Sequence, residues 1–242
     1  MPKASPDMLF SVITPSIGTR PRALAQAIGS VEAAVEAARA TQGLDPARVE
    51  MLVGFDAVDG ARPSSTLANL RFFVLPRPAC ATCGFGNHIR DALMRGAKGR
   101  YLLFLDDDNA LAEGALAAFL PHVEAAAPPE LLIGRVDTSR AFDVPFLPRP
   151  APAGTDPVAE AIRQGNIDPL CLCIARELAV VRGRGWADEG GYESDYLNIR
   201  RYHRRARGVV LLDAEVGVYD AGRGLDPQGL NPRQARAEQA SE

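Results

Sequence analysis

Short apolar runs alternate with helical periodicities through the first half of the chain. Apolar, β-branched runs occupy residues 9–14, 49–55, 72–75, 101–105 and 131–136, and most of them stop at Pro or Asp. Runs of this length predict strands. Between them, apolar residues recur at helical spacing, which predicts helices from Pro21 to about Ala40, over 87–97 and over 110–126. Strands that alternate with helices predict an α/β fold with a mostly parallel central sheet flanked by helices.

The second half of the chain is less regular. Residues 140–157 are rich in Pro and are expected on the surface. Beyond them we predict a strand around Cys171 and Cys173, helices over 176–182 and 192–206, and two short strands over 209–213 and 216–219. No Gly/Ser linker or long charge run divides the sequence, so we expect a single domain over residues 1–226, followed by a polar, mobile tail over 227–242.

Polar side chains collect where the predicted strands end. The first strand ends at Pro15 and Ser16, the second at Asp56, and the fourth at an acidic triplet, Asp106, Asp107 and Asp108. In an open parallel sheet ligands bind at the carboxyl ends of the strands. Three adjacent carboxylates need a counter-charge, which a Mg²⁺ or Mn²⁺ ion bound together with substrate phosphates would supply. The structural alternative is that Asp108 or Asn109 caps the following helix while the other acids are solvated.

The bulk composition excludes several classes of protein. The 242 residues are 47% hydrophobic and carry a net charge of −3, which disfavours a nucleic-acid partner. No apolar run approaches about 18 residues, so no transmembrane segment is predicted. The first seven residues lack the apolar core of a signal peptide, so we expect a cytoplasmic protein. Arginines cluster over residues 200–207, which indicates a solvated face or a contact with acidic partners or lipid headgroups, and this leaves peripheral membrane contact open.

The four cysteines allow two interpretations. Cys80 and Cys83 form one close pair, and Cys171 and Cys173 form another. Two such pairs could supply four thiolates to a zinc ion. Cys171 and Cys173, however, lie in an apolar run, where a cysteine packs as a small hydrophobe. Disulfides are not expected in a reducing compartment.

Three sequence blocks, in order, resemble the family-2-type glycosyltransferases of GT-A fold. The first is FSVITPS followed by Arg20, which resembles the opening strand of that family. The second runs from GFGN at residues 84–87 through Arg90 to LDDD at 105–108, and it resembles the helix, strand and D-x-D signature of the family. The third, GGYESDYL at 190–197 with Arg200, is similar to the acidic motif that carries the catalytic base. The resemblance covers roughly residues 9–220.

The resemblance implies a metal-dependent transfer of a sugar from a UDP- or GDP-sugar donor to the hydroxyl of an unknown acceptor. It implies a nucleotide-binding half at about 8–110 and an acceptor half at about 111–226. Asp195 would be the general base of an inverting reaction, and Asp108 would hold Mn²⁺ or Mg²⁺. The residues implied to bind the nucleotide-sugar are Pro15, Ser16, Arg20, Asp56, Asn87, Arg90, Asp106 and Asp107.

The sequence departs from the family pattern at several points, and other functions stay open. Asp59 competes with Asp56 for contact with the nucleobase, Ser194 stands where an acid is common, and no late metal-binding histidine is evident, although Asp220 could replace it. A nucleotidyltransferase acting on a sugar phosphate and a non-catalytic nucleotide-sugar-binding relative are the alternatives. A retaining transferase is a closer rival.

Overall fold

The computed structural model describes residues 7–77, 86–189 and 191–229. Cys80 and Cys83 therefore lie outside the described residues, as do Gly84, Phe85, Gly190 and residues 230–242. The strands are β1 (Phe10–Ser16), β2 (Val49–Asp56), β3 (Leu70–Leu75), β4 (Tyr101–Phe104), β5 (Ala110–Leu111), β6 (Leu131–Asp137), β7 (Phe146–Leu147), β8 (Leu172–Ala175) and β9 (Val209–Val218).

Five α-helices surround these strands within the described residues. They are α1 (Pro21–Gln42), α2 (Asn87–Gly96), α3 (Ala115–Val123), α4 (Pro157–Ala161) and α5 (Ser194–His203). Single turns of 3₁₀ helix span Pro46–Arg48, Pro169–Cys171, Gly191–Glu193 and Pro227–Gly229, and a π-helical turn spans Glu177–Arg182. None of the helices in the described part of the chain combines the length and the apolar character needed to cross a membrane.

The strands form one sheet in the order β3-β2-β1-β4-β8-β6-β9-β5, with β7 paired to β6. The β3-β2-β1-β4 half is entirely parallel. In the other half β6 and β9 are parallel, while β8 is antiparallel to both β4 and β6. The predicted α/β fold with a mostly parallel sheet is thus confirmed, and the antiparallel β8 is what joins the two halves.

The sheet is covered on both faces, as the continuous apolar runs predicted. Leu102, Leu103 and Phe104 of β4 are almost completely buried, as are Val12 and Ile13 of β1. Burial of these side chains is the main favourable term in folding. It also makes the carboxyl ends of β1, β2 and β4 a rigid edge.

Two predicted elements are wrong in part. The helix predicted over 110–126 begins only at Ala115, because Ala110 and Leu111 form β5 and pair with Val218 and Gly217 of β9. Asp108 and Asn109 therefore cap no helix. The two strands predicted over 209–213 and 216–219 are one strand, β9, whose irregular register against β6 accommodates the polar residues between them.

The first turn of α1 is capped from the far end of the chain. Arg20, the residue before α1, makes no capping bond with its side chain. Instead the Asp226 carboxylate accepts hydrogen bonds from the backbone N–H of Arg22, at 3.0 Å, and of Ala23, at 2.8 Å. Gly229 lies so close to Arg20 that a Cβ at this position would be 2.4 Å from Cγ of Arg20. Residues 226–229 thus lie directly against the start of α1.

Cys171 and Cys173 are fully buried free thiols. Burial raises the pKa of both thiols far above the ordinary value, so they stay protonated at neutral pH. These two residues therefore pack as small hydrophobes in and beside β8, as one of the two sequence interpretations held.

Candidate active site

The parallel half of the sheet brings the strand-terminal polar residues to one edge. Ser16 of β1 pairs in register with Phe55 of β2, so Asp56 stands one position beyond it. β4 runs parallel to β1 on the other side, and the acidic triplet follows its end. Parallel strands place their carboxyl ends together, and this edge is where open α/β sheets bind ligands.

Asp107 is held at this edge by two donors. Its carboxylate is completely buried and accepts a hydrogen bond from Ser16 Oγ at 2.6 Å. Arg20 Nη2 lies 2.8 Å from the other carboxylate oxygen, and Nη1 of the same guanidinium pairs with Asp108. Burial raises the pKa of Asp107 to about 7 despite the opposing charge of Arg20. Arg20 therefore supplies part of the positive charge that the acidic triplet was expected to take from a divalent metal ion.

Arg90 is the buried cation at the centre of the site. It extends from α2, and only 3% of its side chain is exposed. Its Nη2 donates to both oxygens of Asp106, at 2.6 and 2.7 Å, and its Nη1 lies 3.8 Å from Oδ1 of Asp195. The Arg90 guanidinium thus links the acidic triplet to Asp195, the candidate base in the third sequence block.

Asn87 and Trp186 build the wall behind Arg90. Asn87 Oδ1 accepts a hydrogen bond from Trp186 Nε1 at 2.9 Å, and its amide donates to Asp188 at 3.0 Å. The Trp186 ring is buried and lies 5.5 Å from the Arg90 guanidinium. It also packs against Phe104. Trp186 is therefore a core residue that orients Asn87 and Arg90.

Asp195 lies in the first turn of α5 with one carboxylate oxygen facing Arg90. Its Oδ1 is buried and has no hydrogen-bond donor among the described residues, although 35% of the side chain is exposed. Burial raises the pKa of this carboxyl, and Arg90 opposes the rise. The exposed part of the carboxyl group, rather than the buried Oδ1, can accept a proton from a bound hydroxyl group.

Asp56 is engaged at the outer end of the site. Its carboxylate pairs with Arg77, and His88 Nε2 lies 3.3 Å from it. The hydrogen bond from Arg77 lowers the pKa of Asp56. Asp59, the competing residue, instead forms an exposed ion pair with Arg62 at 3.0 Å. Of the two, only Asp56 lies at the strand end that carries the other polar groups.

Gly86 fits α2 tightly against β1. It precedes the helix with φ of +68°, and a Cβ there would lie 2.8 Å from Cβ of Pro15. Only glycine adopts this backbone conformation without a steric cost and leaves room for Pro15. The approach fixes the start of α2, and hence Asn87 and Arg90, relative to the end of β1.

Two further acids belong to this region and were missed by the sequence analysis. Asp188 is the partner of Asn87 described above. Asp168 precedes the turn before β8 and accepts a hydrogen bond from the N–H of Leu170 at 2.8 Å. Burial, followed by the charge of Asp195, raises the pKa of Asp168 to about 8. Asp168 followed by Pro169 is typical of a cap at the start of a helical turn. Nothing in that pattern indicates that Asp168 lies near Asp195.

The acidic groups suit a hard divalent cation that is completed by substrate. Among the described residues, no three His, Cys, Asp or Glu side chains are grouped to enclose a metal ion. Mg²⁺ typically takes one or two carboxylates and fills its other positions with water and phosphate oxygens. The oxygens of Asp106 and Asp108 are donors of this type. Asp220 lies close by, since its N–H donates to the side chain of Asn109 at 2.8 Å.

This architecture, a parallel half-sheet with acids at its carboxyl edge and a mixed second half, is the GT-A type of nucleotide-sugar transferase fold. Among solved structures, the chain resembles S. aureus TarS 1-349 in complex with UDP-GlcNAc, with 17% identity and a TM-score of 0.62. That match covers 87% of this chain and 58% of TarS 1-349. A second is the mannosyltransferase PcManGT from Pyrobaculum calidifontis with GDP-Man and Mn²⁺, at 15% identity and a TM-score of 0.55, over 95% of this chain and 64% of that one.

These similarities establish the fold. No family model matches the sequence, and no curated protein matches it. The chain also spans only about three fifths of the length of S. aureus TarS 1-349, to which it is 19% identical with a TM-score of 0.61.

Proposed function

We propose that the protein is a glycosyltransferase of the family-2 type that moves a sugar from a nucleoside-diphosphate donor to an acceptor hydroxyl. The observation that carries the proposal is the position of Asp195. Its carboxyl group is partly exposed, and one of its oxygens faces Arg90, which also binds Asp106 of the acidic triplet. A proton acceptor therefore lies beside the groups proposed to bind the donor.

We assign the donor to the carboxyl edge of β1, β2 and β4. Ser16 and Arg20 hold Asp107, which would contact the ribose or the sugar, and Asp56 would accept a hydrogen bond from the nucleobase. Arg90 would face the donor phosphates from its buried position. Pro15, Asn87 and Asp106 complete the proposed set. The complexes of TarS with UDP-GlcNAc and of PcManGT with GDP-Man support a donor of this class.

We assign the divalent cation to Asp108, with Asp106 as the alternative ligand. When bound, Mn²⁺ or Mg²⁺ would offset the charge that develops on the departing diphosphate. The carboxylate oxygens present are of the kind these ions bind. The PcManGT complex contains Mn²⁺, which supports the same choice. A cation at Asp108 would compete with Arg20 for that carboxylate.

The proposed reaction is a single displacement. The acceptor oxygen forms a bond to the anomeric carbon as its proton passes to Asp195, and the anomeric C–O bond breaks with its electron pair going to the diphosphate. The raised pKa of Asp195 suits it to take that proton. Attack from the face opposite the leaving group inverts the anomeric centre.

The test compares Asp195→Asn with a matched control, Asp213→Asn. Asp213 is a highly exposed aspartate of β9 that is paired with Arg135. Turnover of UDP- and GDP-sugars with Mn²⁺, with water as acceptor, should fall by about 10²–10⁴-fold in Asp195→Asn, the usual contribution of a general base. Donor binding, read as the rise in melting temperature, should persist in both variants.

Two results would contradict the proposal in different ways. Turnover in Asp195→Asn close to that of Asp213→Asn would remove Asp195 as the base. Release of pyrophosphate from a nucleoside triphosphate and a sugar phosphate, without hydrolysis of nucleotide-sugars, would instead indicate a nucleotidyltransferase.

A further inference from the structure

A second concave site lies beside the loop that contains Ala187 and Asp188, the loop that contacts Asn87 in the candidate active site. It has a volume of about 330 Å³. Its walls are the end of α5 and the loop before it, through Ala187, Glu189, Leu197, Asn198, Arg200, Arg201, Arg204 and Arg205. We call it the arginine pocket. Four arginines thus line one depression of a chain whose overall charge is −3.

These arginines have no carboxylate partners in the described part of the chain. The ion pairs found there involve other arginines, and Glu189, although it lines the pocket, lies beyond ion-pair distance of them. Nε of Arg201 is buried and has no hydrogen-bond acceptor among the described residues. Its Nη2 donates to the carbonyl of Gly185 and to Oδ1 of Asn198, which anchors Arg201 beside the pocket.

The arrangement concentrates positive charge at the end of α5. Arg200 and Arg204 are four residues apart at the end of α5, and like charges at that spacing repel. The helix dipole favours cations at the C-terminal end of a helix. Four arginines in one place, however, would normally be balanced by neighbouring carboxylates. An anion bound in the pocket would offset this repulsion. Guanidinium groups bind phosphate oxygens in pairs, which suits them to such a ligand.

The pocket is connected to the proposed reaction centre by short, rigid contacts. Asn198 bonds both the N–H and the carbonyl of Ala187, at 2.8 and 2.9 Å. The next residue, Asp188, bonds Asn87 on the active-site side of the same loop. Asp195 precedes Arg200 and Arg201 on α5, which corresponds to roughly 8–9 Å along the helix axis at 1.5 Å per residue.

We propose that the arginine pocket binds a phosphate group of the acceptor, so that the acceptor is a phosphorylated molecule whose hydroxyl reaches Asp195. This inference rests on the proposed function. The concave shape favours a compact phosphate over a flat membrane surface. The separation from Asp195 suits a phosphate several bonds away from the reacting hydroxyl.

The experiment measures pyrophosphate binding by calorimetry, in EDTA, to the wild type and to Arg204→Gln/Arg205→Gln. Arg204 and Arg205 are exposed, so the double variant should fold, with a melting temperature equal to or above that of the wild type because repulsion is relieved. Its affinity for pyrophosphate should fall at least tenfold. The matched control, Arg39→Gln/Arg163→Gln, removes two exposed arginines elsewhere and should bind as the wild type does.

Unchanged affinity in the Arg204/Arg205 variant would overturn the proposal. So would a lower melting temperature without loss of affinity, since that result assigns the arginines to helix stability. Binding to vesicles of phosphatidylglycerol that depends on these arginines, without binding of soluble pyrophosphate, would overturn it in favour of a membrane surface. Hydrolysis of nucleotide-sugars by the wild type is a separate measurement, so failure of the proposed function and failure of the pocket are distinguishable.

Discussion

Replacing Arg90 tests the electrostatic centre of the site. Arg90→Met keeps the length of the side chain but removes the cation that binds both oxygens of Asp106 and faces Asp195. Removing one member of a buried ion pair typically costs about 3–5 kcal/mol. Because 38% of the Asp106 side chain is exposed, water offsets part of this cost. We expect a loss of about 2–4 kcal/mol, or about 5–15 °C in Tm for a chain of this length.

The loss should depend on pH in a defined direction. Burial raises the pKa values of Asp195 and Asp168, and Arg90 opposes both rises. Without Arg90 these carboxyls would hold their protons to a higher pH in the folded state. Ionising them would then cost the folded state more than the unfolded chain, so the stability gap between variant and wild type should widen from pH 5 to pH 8.5.

Urea denaturation followed by circular dichroism at those two pH values measures both effects. Arg95→Met is the matched control, since Arg95 lies on the same helix with 52% of its side chain exposed, in an ion pair with Asp91. It should cost about 0.5 kcal/mol or less at either pH. A cost of Arg90→Met no greater than that of Arg95→Met, or a cost that is the same at both pH values, would refute this role of Arg90.

Three further predictions follow from single contacts. Asp168→Asn should gain stability relative to the wild type as pH rises from 5 to 8.5, because the wild-type carboxyl, with a pKa of about 8, keeps its proton in the folded state over most of this range while the unfolded chain loses it; parallel Tm–pH curves would contradict this. Gly86→Ala should cost about 1–3 kcal/mol in urea denaturation, from the positive φ and the contact with Pro15. Asp226→Ala should cost about 0.5–2 kcal/mol through loss of the cap on α1, and Asp226→Asn less; equal losses would indicate a different role.

The predicted elements were most accurate where local pattern and burial agree. The apolar run before Asp106 predicted a central strand, and β4 is fully buried. The error at residues 110–126 has the opposite cause. Ala110 and Leu111 are compatible with a helix by composition, but their backbone pairs with β9, more than 100 residues later in the chain. Tertiary pairing of that kind leaves no trace in a local window.

The same distinction applies to the candidate site. The acids at the strand ends could be located from the sequence, because a parallel sheet gathers the ends of its strands. Their partners could not, since the pairing of Arg20 with Asp107 and Asp108 depends on where α1 packs. Asp168 lies 27 residues before Asp195, and only the path through β8 brings the two carboxyls near each other.

The close approach of Gly229 to Arg20 has a practical consequence for enzymology. A group fused after residue 242 is joined by residues 230–242 to Gly229, which lies against the aliphatic stem of Arg20, the residue whose guanidinium pairs with Asp108. Short tethers hold a group at an effective concentration of about a millimolar. A polyhistidine tag placed there would hold imidazoles near Asp108, where they would compete for the Mn²⁺ or Mg²⁺ being titrated. Metal titrations therefore need the tag at the other terminus or cleaved away.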